Sequence, residues 1–259
     1  MLLKLLNIFA VVITVVQAYS VGVTKSSNSM EYPYQVMLIG RTLWSNRILC
    51  GGTLLNHEWI LTAAHCLDGI VLFEIHLGAK TLNGYNEPGR VILRSSKFIK
   101  HEDFNARNAA NDIALVKLPQ RVEYTNAIQP ATLPYQYKNN NLEGFKVIAS
   151  GWGSENDYSS DMQYTDLKVI DNHECTREYN SNIIRSSVLC AKGVHHETVC
   201  SGDSGGPLAL KGSKIVVGVT SFGPADGCLM NIAGGFSRVS HYLDWIRDNT
   251  GIQTPVRDE

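Results

Sequence analysis

Apolar residues along this chain come in short bursts. Gln35-Val36-Met37-Leu38, Trp59-Ile60-Leu61-Thr62, Ile113-Ala114-Leu115-Val116, Lys146-Val147-Ile148-Ala149 and Ile215-Val216-Val217-Gly218-Val219 are separated by stretches rich in Gly, Asn, Pro and Asp. Bursts this short are strand-length, and the residues between them are those that turn a chain. The pattern therefore predicts an all-β fold of sandwich or barrel type. Helical spacing is convincing only near the end, where Val239, Tyr242, Leu243 and Ile246 share one face, Ser240 stands where a cap belongs and Gly251 marks the stop. Asn139-Asn140-Asn141 reads as an exposed loop, and a boundary between two lobes is expected near residues 128–142.

The first residues differ in kind. Met1-Leu2-Leu3-Lys4 leads into a mostly apolar run over 5–16 and then Gln17-Ala18-Tyr19-Ser20, which together make the basic start, hydrophobic stretch and small-residue cleavage site of a secretion signal. Cleavage is expected after Ala18 or Ser20, leaving residues 21–259 as the working domain. Asn7 interrupts the run, which falls short of the roughly 20 residues needed to span a bilayer. With 44% hydrophobic residues in a chain of 259, a large core is available. Charged residues make up 18% and the formal net charge is -1, so nothing marks the protein for nucleic acid or an anionic membrane, and peptide or protein partners stay open. In a secreted chain the six cysteines, Cys50, Cys66, Cys175, Cys190, Cys200 and Cys228, read as disulfides whose pairing is open on sequence alone. Metal ligation is the weaker reading: no Cys-x-x-Cys occurs, His57-Glu58 has Leu61 where a second histidine belongs, and His196-Glu197 has Cys200 there.

Three segments carry candidate chemistry. Gly202-Asp203-Ser204-Gly205-Gly206-Pro207 can form a tight turn that exposes a serine hydroxyl and leaves backbone N–H groups free, although the same residues make ordinary surface turns. A serine needs a base to become a nucleophile, and the base needs a third group to fix its tautomer. Thr62-Ala63-Ala64-His65-Cys66 places a histidine just after a strand, and Asn111-Asp112-Ile113-Ala114-Leu115 sets an acid at the mouth of another. His195 and His196 read as solvated loop residues.

In the order His, Asp, Ser, these segments resemble the trypsin and chymotrypsin family of serine proteases. The resemblance extends through Pro33-Tyr34-Gln35-Val36, Cys50-Gly51-Gly52-Thr53-Leu54, Gly151-Trp152-Gly153 and Ser221-Phe222-Gly223, and so covers essentially everything after the signal. It implies two six-stranded antiparallel barrels with the site between them, and disulfides Cys50–Cys66, Cys175–Cys190 and Cys200–Cys228. Ser204 would be the nucleophile, His65 the general base, Asp112 its orienting acid, and the N–H groups of Gly202 and Ser204 the oxyanion donors. Ser221 would hydrogen-bond Asp112, the 221–223 segment would bind substrate by strand addition, and Asp203 would pair with the mature amino terminus. No cofactor is implied, protein inhibitors are natural partners, and a monomer is expected.

Departures from the family pattern sharpen these expectations. Where trypsin-like members hold a pocket aspartate this chain has Thr198, and Gly223 and Gly234 leave room for a ring, so cleavage after Phe, Tyr and Leu is expected, with Asp226 and Glu197 as nearby acids. Ala79 follows Leu77-Gly78 where calcium-binding relatives carry glutamate, which argues against a metal requirement. The activation segment aligns with Val21-Gly22-Val23-Thr24, and no Arg or Lys lies between Lys4 and it. Ile48 and Met37 replace polar residues that latch the inactive form in relatives, so Val21 is expected to become the mature terminus without a tryptic cut. The rival reading, a non-catalytic binding protein on the same fold, is disfavoured because all three chemical residues are present.

Overall fold

The computed structural model describes residues 25–27, 30–44, 46–154, 158–194, 198–224, 227–228 and 230–253. The signal segment, Val21, His195, His196, Glu197 and Asp226 lie outside them. The strands in chain order are β1 (Lys25–Ser26), β2 (Gln35–Thr42), β3 (Arg47–Leu54), β4 (Trp59–Thr62), β5 (Ile70–Leu77), β6 (Val91–Ser95), β7 (Phe98–Lys100) and β8 (Ala114–Lys117), then β9 (Lys146–Gly153), β10 (Tyr158–Ile170), β11 (Val188–Gly193), β12 (Pro207–Leu210), β13 (Val216–Phe222) and β14 (Gly234–Arg238). Two short helices, α1 (Asn172–Cys175) and α2 (Leu243–Thr250), complete the fold. All the strand pairings are antiparallel.

The second lobe closes on itself: β9, β10, β11, β14, β13 and β12 pair in turn and β12 returns to β9, with β1 added alongside β10. The first lobe runs β6-β5-β2-β3-β4-β8-β7, an open sheet of seven strands where six in a closed barrel were expected. The difference is one bent strand. β6 and β7 are separated only by residues 96–97, so the sheet is joined covalently where hydrogen bonding stops. Ser95 holds the bend, its hydroxyl accepting from the Lys97 N–H (3.1 Å) and donating to the Lys117 carbonyl (2.6 Å).

β2 shows why the bursts read as continuous runs rather than alternating ones. Val36 and Leu38 fill the first barrel while Gln35 and Met37 on the other face are also buried, because the second lobe packs there. Across that seam the Ser150 hydroxyl donates to Gln35 Oε1 at 2.7 Å. Three disulfides form, Cys50–Cys66, Cys175–Cys190 and Cys200–Cys228. Closing loops of 15 to 28 residues contributes about 3 kcal/mol each by restricting the unfolded chain.

The final helix starts later than its sequence pattern suggests. Ser240 is buried in a 3-10 turn, Val239–His241, and caps nothing; α2 begins at Leu243 without a side-chain cap. Packing sets the start, since the buried Tyr242 is anchored by its hydroxyl on Asn111 Oδ1 at 3.1 Å. The stop is as expected: Gly251 adopts φ +72° and its N–H closes on the Arg247 carbonyl at 2.8 Å.

Candidate active site

Each of the three segments is held by its surroundings. After β4 the chain enters a 3-10 turn, His65–Leu67, and the Cys50–Cys66 bond ties that turn to β3. Asp112 follows Asn111, which takes the left-handed φ of +52° so that the chain can drop an acid inward before β8. The carboxylate is 1% exposed yet well supplied with donors. Oδ1 accepts from the His65 N–H at 2.9 Å, and Oδ2 from His65 Nδ1 at 2.7 Å and from the Ser221 hydroxyl at 2.5 Å. Ser237 adds a bond to the Asp112 carbonyl at 2.6 Å. With its proton on Nδ1, the imidazole keeps Nε2 free to accept. Burial of the ring works to lower its pKa, but the hydrogen bond and charge of Asp112, with Asp68 further off, outweigh that and leave His65 above its ordinary value of 6.5.

Ser204 reaches the same place from the second lobe. Gly202 (φ +99°) and Gly205 (φ +78°) make a turn that an L side chain would strain. The turn is pinned by Gly205 N–H to Thr220 O (2.8 Å), Gly206 N–H to Asp203 O (2.8 Å) and Gly51 N–H to Ser204 O (2.7 Å). The Cys66 sulfur lies 3.8 Å from His65 Nε2 and 3.5 Å from the Ser204 carbonyl, so histidine and serine are neighbours across the lobes. The backbone N–H groups of Gly202 and Ser204 donate to no acceptor among the described residues. Donors left without a protein acceptor at a cavity are available to a bound ligand.

Beside Ser204 opens a cavity of about 560 Å³, lined by Val199, Ser201, Ser221, Phe222, Gly223 and the Cys200–Cys228 bridge among others. Of the expected pocket residues, Ser221, Phe222 and Gly223 line it. Thr198 and Gly234 sit behind the wall: Thr198 is 2% exposed with its hydroxyl unpaired among the described residues, 2.9 Å from where a Cβ on Gly234 would stand. Sequence reasoning missed Val199, which precedes Cys200 and faces the cavity, and Ser237, whose role depends on β14 meeting Asp112 and has no local signal.

Asp203 points away from the cavity into a cradle made by β9. Its carboxylate accepts from Gly153 N–H at 2.8 Å and Cys200 N–H at 2.9 Å. Side chains at Gly151 or Gly153 would stand 2.2 Å and 2.6 Å from that carboxylate, so both positions must be glycine. No cation pairs with it among the described residues. Burial pushes its pKa up from 3.8 to about 6, the two N–H donors holding it back only in part. Met37 is buried in β2 and Ile48 is 39% exposed, so neither offers it a polar partner.

The geometry belongs to acyl-transfer chemistry, and the comparisons agree. The profile of the family described as Trypsin matches residues 21–246. This chain is a member of the trypsin family of serine endopeptidases. Among its relatives, "Collagenase" of Hypoderma lineatum is 40% identical over 85% of this chain and 84% of its own length. "Brachyurin" of Leptuca pugilator is 36% identical over 89% of this chain and 98% of its own. A solved structure of HL collagenase superposes with a TM-score of 0.83 at 38% identity, covering 89% of this chain and 99% of that one. The protease carries two groupings of metal-type ligands among its described residues. Cys50, His65 and Cys66 are unsuited because both sulfurs are bonded to each other, and His101, Glu102 and Asp103 form an exposed consecutive run. Where relatives hold calcium, the loop after Gly78 closes on Arg90. This guanidinium pairs with Glu87 (3.2 Å) and donates to the Thr81 carbonyl, while Glu87 accepts from the Lys80 and Thr81 N–H groups at 3.0 and 2.8 Å.

Proposed function

We infer that the protease hydrolyses peptide bonds through an acyl-enzyme on Ser204, with His65 as base and Asp112 as its orienting acid. His65 Nε2 takes the hydroxyl proton as Ser204 attacks the scissile carbonyl, and later delivers it to the leaving amine. Asp112, accepting from the His65 backbone, the His65 ring and Ser221, holds the imidazole in place and stabilises the imidazolium. The observation that carries the reading is the pair of N–H groups on Gly202 and Ser204 that have no acceptor among the described residues, on the turn whose Ser204 carbonyl neighbours the Cys66 sulfur beside that histidine. They are fixed before the reaction and stabilise the oxyanion, each contributing about 3 kcal/mol to the barrier reduction. A fluorophosphonate probe should label the wild-type enzyme and not Ser204→Ala; absence of labelling in folded wild type returns the chain to the binding-protein reading.

The preference proposed is for Phe, Tyr and Leu before the scissile bond. A lysine or arginine entering the cavity would find no carboxylate among its described lining residues, where Val199, Thr220 and Phe222 stand with Thr198 recessed behind them, and a cation desolvated without a carboxylate is penalised by several kcal/mol. Peptides differing only at that residue test the preference, and faster hydrolysis after Arg than after Phe refutes it. Secretion, a monomeric state and protein inhibitors complete the reading. It also takes Val21 as the mature terminus, its amine supplying the cation that Asp203 lacks among the described residues; amino-terminal sequencing of the active enzyme checks this, and a start at Tyr19 with full activity rejects it.

A further inference from the structure

Gly235, in β14, does not line the cavity beside Ser204, and its backbone is not left-handed, so what requires a glycine there is space. A Cβ on it would stand 2.1 Å from Cζ, 2.2 Å from Cε2 and 2.5 Å from Cε1 of Phe222. Gly223 and Gly234 are less tightly held, the nearest neighbours of such an atom standing 3.3 and 2.9 Å away. The tip of the Phe222 ring is thus seated directly on the Gly235 backbone, the close approach that a glycine inside a strand marks.

A bulge in β13 delivers the ring. Thr220 pairs with Phe236 and Phe222 with Gly235, so Ser221 is the extra residue between them. Its hydroxyl turns to Asp112 at 2.5 Å while Phe222 is laid across its strand partner. An aromatic ring over a cross-strand glycine covers backbone that would otherwise be bare. Other sides of the seat are filled. Tyr179 meets the ring edge-on, with centroids 5.1 Å apart at 76°, and is itself fixed by its hydroxyl donating to the Ala233 carbonyl at 2.5 Å. The ring also packs against the buried cluster of Cys175, Ile184, Cys190 and Ala233. The cavity is the side left open, where Phe222 stands in the lining with Ser221 and Gly223.

We propose that Gly235 is a positioning residue for specificity: it gives the Phe222 ring a seat out of the cavity and so keeps the cavity wide enough for a large side chain before the scissile bond. With a methyl group on Gly235 the ring would have to retreat by roughly 1.5 Å to regain normal carbon–carbon contact. Tyr179 and the buried cluster block the other directions, so the ring retreats into the cavity. A narrowed cavity penalises large side chains and spares small ones. The inference deepens the reading of the cavity as the place of that substrate side chain, and rests on it.

The test compares two peptides that differ only in the residue before the scissile bond, Phe in one and Ala in the other. Wild type should favour Phe in kcat/KM. In Gly235→Ala that Phe-over-Ala ratio should fall about tenfold, chiefly through a higher KM for the Phe peptide, while a small fluorophosphonate still labels Ser204. Adding Phe222→Leu removes the ring, so the double variant should show a ratio within about twofold of Phe222→Leu alone. Should Gly235→Ala not fold by itself, the double variant carries the measurement. It should then fold, and its failure to do so overturns the proposal, because the glycine would be needed by something other than the ring. A wild-type ratio kept by folded Gly235→Ala also overturns it, as does an equal fall on both peptides, the mark of a general structural role. Wild type that cleaves neither peptide, or cleaves after Ala as fast as after Phe, is a different result: it refutes the reading of the site itself and takes the inference with it.

Discussion

At the residue scale the two acids of the site obey opposite rules. Asp112 is buried with donors on both oxygens, one of them the His65 ring, and it raises the histidine. With His65 as the proposed base its neutral form is the active one, so kcat/KM on an uncharged peptide should rise with a midpoint above 6.5, and the stabilising His65–Asp112 charge pair should be full below 6.5 and fade as pH climbs through the raised value. Asp112→Asn should leave the fold intact and lower kcat by about 10⁴, a magnitude taken from triad chemistry in general rather than from this structure. Asp203 has two N–H donors and no described cation, with a pKa near 6. Its folded form holds a proton that the unfolded chain has released, so stability should decline from pH 3.8 to 6, by about 3 kcal/mol at 1.36 kcal/mol per unit. Melting curves of the unprocessed chain against Asp203→Asn should show this slope. In the processed enzyme, where an amine can pair with the carboxylate, the slope should disappear.

Among the elements, those specified by local chemistry were legible and those specified by neighbours were not. The strand bursts, the glycine turn at Ser204, the three half-cystine partners and the Gly251 stop all follow from residue type, given the family resemblance. The joined β6–β7 strand was not legible, because Ser95 holds its bend only by reaching the Lys117 carbonyl on another strand. Nor was the start of α2, set by Tyr242 on Asn111, or the recess of Thr198 behind the cavity wall. The loop after Gly78 combines both kinds: Ala79 argued against calcium, and the guanidinium of Arg90, its side chain without exposed surface, occupies the interior. A chelator should leave the melting temperature unchanged and added calcium should not raise it. Arg90→Met, which strands Glu87 among backbone donors without its cation, should destabilise by about 1–3 kcal/mol in thermal denaturation.

On the scale of the whole molecule, the second lobe closes its own hydrogen-bonded circuit and the first is joined covalently at the β6–β7 bend, while the largest core cluster and the contacts that assemble the site run between the lobes. His65 and Asp112 come from one lobe, while Ser204, Ser221 and Ser237 come from the other, and the seam is crossed by bonds such as Ser150 to Gln35. Partial opening of a seam takes less free energy than melting either barrel. On warming, hydrolysis measured at temperature should fail before the far-ultraviolet circular dichroism of the strands changes, and recover on cooling from that interval. Coincident loss of both signals shows that the lobes separate only when they unfold. The bend at Ser95 has a bearing on ageing of the enzyme in its own company. A closed ring of strands offers no free edge, but the first lobe is closed there by two residues of chain and not by a ladder, which makes positions 96–97 the place where a single cut would turn a barrel into a sheet with two sticky borders.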